Sequence, residues 1–123
     1  MYDTFPTAIH CDVAVVSGDG RRIECDAIID TGAEETHIST EVALRLGQNP
    51  VRYSQMVSAT DVHRCARYDV RLLIGDYAIP YELEVVESPL PCGIDVLVGM
   101  DVLGLGSFHI VQRNNKTIVK FVI

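Results

Sequence analysis

Asp30 is the residue of this chain best placed to do chemistry. It follows the apolar run Ala27-Ile28-Ile29 and precedes Thr31-Gly32-Ala33. An acid set directly behind an apolar strand leaves the sheet where the chain turns, so its charge sits at the edge of a core without the cost of being lost inside it. Thr31 adds a hydroxyl that can bond neighbouring backbone. Gly32 tolerates backbone angles closed to other residues and leaves room for a second backbone to approach. Together these are the parts a proton-handling carboxylate requires, although an acid here can also do no more than cap a turn. Other reactive types are less well placed. The four cysteines, Cys11, Cys25, Cys65 and Cys92, form no Cys-x-x-Cys pair. His63-x-Cys65 alone does not complete a tetrahedral metal set, so no metal or cofactor is expected. Cys92 lies among Pro89, Pro91 and Gly93, a loop composition that does not activate a thiol.

Further along, Ile94-Asp95-Val96-Leu97-Val98-Gly99-Met100-Asp101-Val102-Leu103 repeats the pattern of apolar strand, glycine and short helix, without an acid-Thr-Gly order. With both half-motifs in view, residues 8 to 123 resemble the retropepsin-like aspartic proteases. In that family the first unit supplies the catalytic Asp, and an apolar-apolar-Gly segment, here Leu97-Val98-Gly99, crosses it. The Gly-Met-Asp-Val-Leu wording is similar to bacterial stand-alone and DNA-damage-inducible members; retroviral enzymes commonly carry a basic residue where Met100 stands. The resemblance implies an all-β, closed retropepsin-like β-barrel with one or two short helices and one lobe per chain.

Composition limits the partners. The 123 residues are expected to form one domain, 1–123, with 48% hydrophobic side chains to build a core. Ten basic against seventeen acidic residues give a formal charge of -7, which repels polyanions and argues against nucleic acid as a partner. Met1 to Pro6 lacks the positive start and apolar run of a secretion signal. Asp95 and Asp101 interrupt the most apolar region, so no membrane span of ~20 residues is expected. A soluble, cytoplasmic protein is the expectation.

The elements that must position Asp30 follow from alternation. Ile9, Cys11, Val13 and Val15 share one face of a strand over 8 to 16; Ser17-Gly18-Asp19-Gly20 turns it into a second strand, where Ile23, Cys25, Ala27 and Ile29 point one way. This hairpin delivers Asp30. Glu34 to Ser39 reads as a return strand. Ser39 caps a helix over 40 to 46 that Gly47 ends. Strands over 51 to 59 and 62 to 74 meet at Ala59-Thr60-Asp61, and a further strand covers 77 to 86, with Pro80 marking an edge or bulge. A helix at 101 to 105 and a last hairpin, 107 to 112 with 117 to 122 around Asn114-Asn115, complete the reading.

The resemblance implies an aspartic endopeptidase in which water is activated between two Asp30 carboxylates of a homodimer, with Asp30, Thr31 and Gly32 as the catalytic motif. It also implies a peptide or protein substrate held by Ala33, Glu34, Glu35 and Val98 and by a flap tip at Ser58, Ala59 and Thr60, where the family usually carries glycines. Ala27, Ile29, Val62 and Val98 are expected to give apolar pockets, hence cleavage between hydrophobic residues. Asp101 is read as structural. A different class of function stays open: a non-catalytic peptide-binding or dimerisation module of the same fold.

Overall fold

The computed structural model describes residues 9–57, 59–75, 77–114 and 116–122. Strand β1 (Ile9–Val16) pairs antiparallel with β2 (Arg22–Ile29), Val13 opposite Cys25. Period-two burial is plain in β2, where Ile23, Cys25 and Ala27 are buried and Arg22, Glu24 and Asp26 exposed. Next comes β3, only His37–Ile38, shorter than the strand expected over 34 to 39, because residues 31 to 36 are taken up by the turn that follows Asp30. Helix α1 (Thr40–Leu46) starts where Ser39 Oγ accepts the N–H of Val42 and stops at Gly47 in the left-handed region. It buries Val42, Ala43 and Leu46.

Strands β4 (Arg52–Val57) and β5 (Val62–Ile74) form the long hairpin, with Tyr53 opposite Ala66 and Val57 opposite Val62. The strand expected over 77 to 86 is split into β6 (Tyr77–Ala78) and β7 (Leu83–Glu87). Pro80 lies in the gap, where its missing N–H would break a ladder. After β8 (Val96–Val98) comes α2 (Met100–Leu103), and β9 (Ser107–Arg113) then pairs with β10 (Lys116–Val122) as a separate two-stranded sheet.

The main sheet runs β1-β2-β8-β3-β7-β5-β4, and the pairing of β1 with β5 closes it into a ring. Two of its pairings are parallel, β2 with β8 and β3 with β7. Closure places Val13, Val15, Ile23, Ala27, Ile38, Val70, Leu72, Val85, Val96 and Val98 in one core, sealed by α1 and by Val102 and Leu103 of α2. Each Val, Leu and Ile among them contributes roughly 1.5–3 kcal/mol by leaving water. Phe121 of β10 joins this core, its ring 5.9 Å from that of Tyr77 and nearly edge-on. The cysteines are unpaired; Cys25 and Cys65 are buried and Cys92 is exposed. Burial raises the Cys25 thiol to about 12 and the Cys11 thiol to about 11, so both stay protonated. Among the described residues, no helix is long and apolar enough to cross a membrane.

Candidate active site

Asp30 stands one residue past the end of β2, where its N–H donates to Val98 O at 3.0 Å and so continues the parallel pairing with β8. Its Oδ1 accepts the N–H of Gly32 at 2.9 Å. Oδ2 has no partner among the described residues and remains open to solvent. Gly32 does not occupy the left-handed region; what it supplies is space, since a Cβ there would come within 3.2 Å of that same Oδ1. Thr31 is exposed, and its hydroxyl makes no bond among the described residues.

A crossing of two backbones holds the turn. Ala33 O accepts the N–H of Met100 at 2.8 Å and Glu34 O that of Asp101 at 3.0 Å. Gly99 makes the crossing possible, because a Cβ built on it would lie 2.4 Å from Glu35 O. Beneath it, Thr36 is fully buried. Its N–H and hydroxyl donate to Asp101 Oδ2 and Oδ1 at 2.9 and 2.7 Å, and its Oγ1 accepts the N–H of Gly99 at 3.1 Å. Asp101 Oδ1 also accepts the N–H of Val102. Asp101 therefore ties the start of α2 to the far end of the turn that follows Asp30. Nothing in the sequence around Thr36 signals this bond, which spans 65 positions.

The expected substrate-binding residues divide. Ala33, Glu34 and Glu35 lie in the turn against α2. Glu35 is held by Arg67 of β5 at 2.9 Å; the Arg67 side chain, 10% exposed, also meets Glu84 at 3.2 Å and Ser54 Oγ at 2.6 Å. Glu84 in turn takes a two-pronged bond from Arg52, and this neighbour holds its carboxyl below the ordinary value. The Val98 side chain lies wholly inside the core, so its part in the site is its carbonyl on Asp30. Ala59 and Thr60 stand exposed at the end of the β4–β5 hairpin, and Ser58 lies outside the described residues.

Of the residues expected to give apolar pockets, Val62 is exposed at the start of β5, and Ala27, Ile29 and Val98 have the wrong parity. Side chains two apart share a strand face, so Asp30 shares its face with Ile28. Ala27 and Val98 are sealed in the core, and the Ile29 face packs against it. Ile28 pairs with Leu97, and Leu97 pairs with His37. Ile28, Leu97 and His37 are half-buried and run as a row across three strands beside Asp30. Sequence alternation along β2 alone was enough to find Ile28; Leu97 and His37 required the strand pairing.

A family model described as aspartyl protease matches residues 13–102. This chain belongs to the aspartyl protease family. Its fold is retropepsin-like, as three solved structures illustrate. A retropepsin-like aspartic protease from Rickettsia conorii superposes with a TM-score of 0.62 at 14% identity, over 92% of this chain and 89% of that one. The retroviral protease-like domain of Ddi1 from Leishmania major gives 0.55 at 18% identity, over 93% and 94%. Simian foamy virus (mac) protease gives 0.54 at 16% identity, over 76% and 89%. No curated protein matches in sequence. At these identities the structures speak for the fold of an aspartyl protease, and the chemistry rests on the site itself.

Proposed function

We propose that the chain is an aspartic endopeptidase that works as a two-fold homodimer, Asp30 of one subunit facing Asp30 of its mate. The observation that carries this reading is the division of labour around Asp30. One carboxylate oxygen is fixed by Gly32 and the other is open, on a turn that Gly99, Thr36 and Asp101 brace from below. Peptide hydrolysis by water needs a base to take a proton from the water and an acid to give one. The chain offers one Asp-Thr-Gly. A self-complementary dimer supplies the second acid from the same motif, and two facing carboxylates hold one proton between them because both cannot ionise easily. The ionised Asp30 then deprotonates water as it attacks the scissile carbonyl, while the protonated Asp30 donates to the carbonyl oxygen; the tetrahedral species collapses with a proton passing to the leaving amine.

The remaining residues take supporting parts in this reading. Thr31, exposed beside the acid, braces one subunit against the other, and Gly32 fixes the carboxylate. Ala33, Glu34 and Glu35 flank an extended peptide, Ser58, Ala59 and Thr60 close over it, and Val98 acts through its carbonyl. Recognition of an extended strand through main-chain bonds suits such a groove.

The test is incubation of the purified protein with a denatured protein and a peptide library, with and without a peptidomimetic aspartic-protease inhibitor, beside sedimentation at several concentrations. Inhibitor-sensitive cleavage that follows the dimer population is the expected result. Activity in a strict monomer overturns the shared-site assembly, and peptide binding without cleavage turns the reading into a non-catalytic module.

A further inference from the structure

His37 is the one titratable side chain in the row beside Asp30, and its surroundings give it a definite chemical bias. The ring lies on β3 between β7 and β8, on the opposite face from core-facing Ile38. Nδ1 lies 3.0 Å from Ser88 Oγ. That imidazole is the only side-chain partner of the Ser88 hydroxyl among the described residues, and when the hydroxyl donates to Nδ1 the ring hydrogen sits on Nε2. Nε2 has no partner among the described residues and is not sealed from solvent. In that tautomer an N–H donor belongs to the strand face that leads to Asp30, with Ile28 and Leu97 as its apolar flank.

We propose that His37, held by Ser88, is a specificity residue of the peptide groove: its Nε2–H selects a substrate side chain ending in an amide oxygen, Asn or Gln, over an aliphatic one of similar size. The proposal rests on the groove reading given above and adds a polar subsite to an otherwise apolar cleft. Charge decides between amide and carboxylate. The groups that face the ring are Glu35 on the turn leading into β3, Asp101 on α2, Asp30 at the end of β2 and Arg67 on β5, with uncharged Ser88 beyond β7 and Leu97 on β8. Three carboxylates against one guanidinium disfavour a further anion there. Burial outweighs those carboxylates and pushes the ring below its ordinary 6.5, so the imidazole is neutral at neutral pH and does not offset them. Once acid protonates it, Nε2–H still donates and now carries charge, and Glu or Asp becomes an acceptable occupant.

The experiment uses Asp30→Asn protein, which keeps the groove while removing the acid, and peptides varied one position at a time among Gln, Asn, Leu and Glu. At neutral pH one position is expected to favour Gln over Leu by about tenfold in affinity, the scale of one hydrogen bond in a partly dry site. The Asp30→Asn/His37→Val protein is expected to lose that preference, and Asp30→Asn/Ser88→Ala to weaken it. On acidification the Glu peptide is expected to gain only where His37 is present. The imidazole nitrogen resonances of His37 should shift with the Gln peptide and not with the Leu peptide, which a merely structural histidine would not do. An unchanged ranking in the His37→Val background overturns the proposal, as does a groove that binds no peptide. Wild-type protein on the same peptides separates the two claims: selective binding without cutting sinks the protease reading and leaves the subsite, while cutting with a ranking indifferent to His37 does the reverse.

Discussion

The turn after Asp30 and the turn after Val98 begin alike, with an apolar strand pairing in parallel and then a glycine-containing bend, yet they use their acids in opposite ways. Asp101 spends both carboxylate oxygens on Thr36 and Val102. Asp30 commits one oxygen to Gly32 and leaves the other open. The glycines differ as well: Gly99 is required because a backbone passes over it at a distance no Cβ allows, whereas Gly32 yields room to the carboxylate beside it. A spent acid next to an unspent one is how a fold can hold a reactive group still without consuming it. The second turn is the brace, and the first is what it holds.

The largest expected effect comes from breaking the brace at its crossing. Gly99→Ala puts a methyl group against Glu35 O and is expected to cost upward of ~3 kcal/mol in denaturant unfolding, with the turn after Asp30 displaced. A wild-type midpoint would mean that the two backbones do not cross as closely as described. Asp101→Ala comes next. It leaves the Thr36 N–H and hydroxyl and the Val102 N–H without acceptors, for about 2–3 kcal/mol, while Asp30→Ala is expected to cost far less because its open oxygen holds nothing in the folded chain. If the two substitutions destabilise equally, the contrast between spent and unspent acid is wrong.

A smaller effect is read in pH. Bonds from Arg52, and the charge of Arg67 beyond it, hold the Glu84 carboxyl below its ordinary 4.5, so the folded chain keeps that group ionised where the unfolded chain takes up a proton. Its contribution is present above 4.5 and is lost as pH falls through the lowered value. Glu84→Gln should flatten the acid limb of the unfolding midpoint and leave neutral stability little changed, because the Arg52 partner is exposed and screened. An acid limb as steep as that of the parent would show that Arg52 and Arg67 do not hold Glu84 ionised in the folded chain.

What the sequence made legible tracks how local each signal is. Alternation along β1 and β2 located the hairpin and the acid at its end, and Ser39 with Gly47 bounded α1, because each of these is decided within a few residues. The ring closure by β1 and β5 joins Val13 to Ile74, a pairing that no local pattern announces. Thr36 looked like one residue of a return strand, yet its side chain is the centre of the brace. The inward turn of Val98 and the outward turn of Leu97 were beyond alternation, since β8 has three residues and all are apolar. Parity there is set by pairing with Ile29 and Ile28 of β2. Pro80, expected to mark an edge or bulge within one strand, stands instead in the gap between β6 and β7, where a residue without an N–H ends the ladder.

As proposed above, the open carboxylate of Asp30 is the working acid and base. Asp30→Asn keeps the size and the bond from Gly32 but removes the ionisable proton that two subunits would share. The variant, purified free of wild-type protein and shown by sedimentation to dimerise as the parent does, is expected to cleave a denatured-protein substrate roughly 10³-fold more slowly or not at all. Cleavage at an undiminished rate, sensitive to the same inhibitor, would contradict the account.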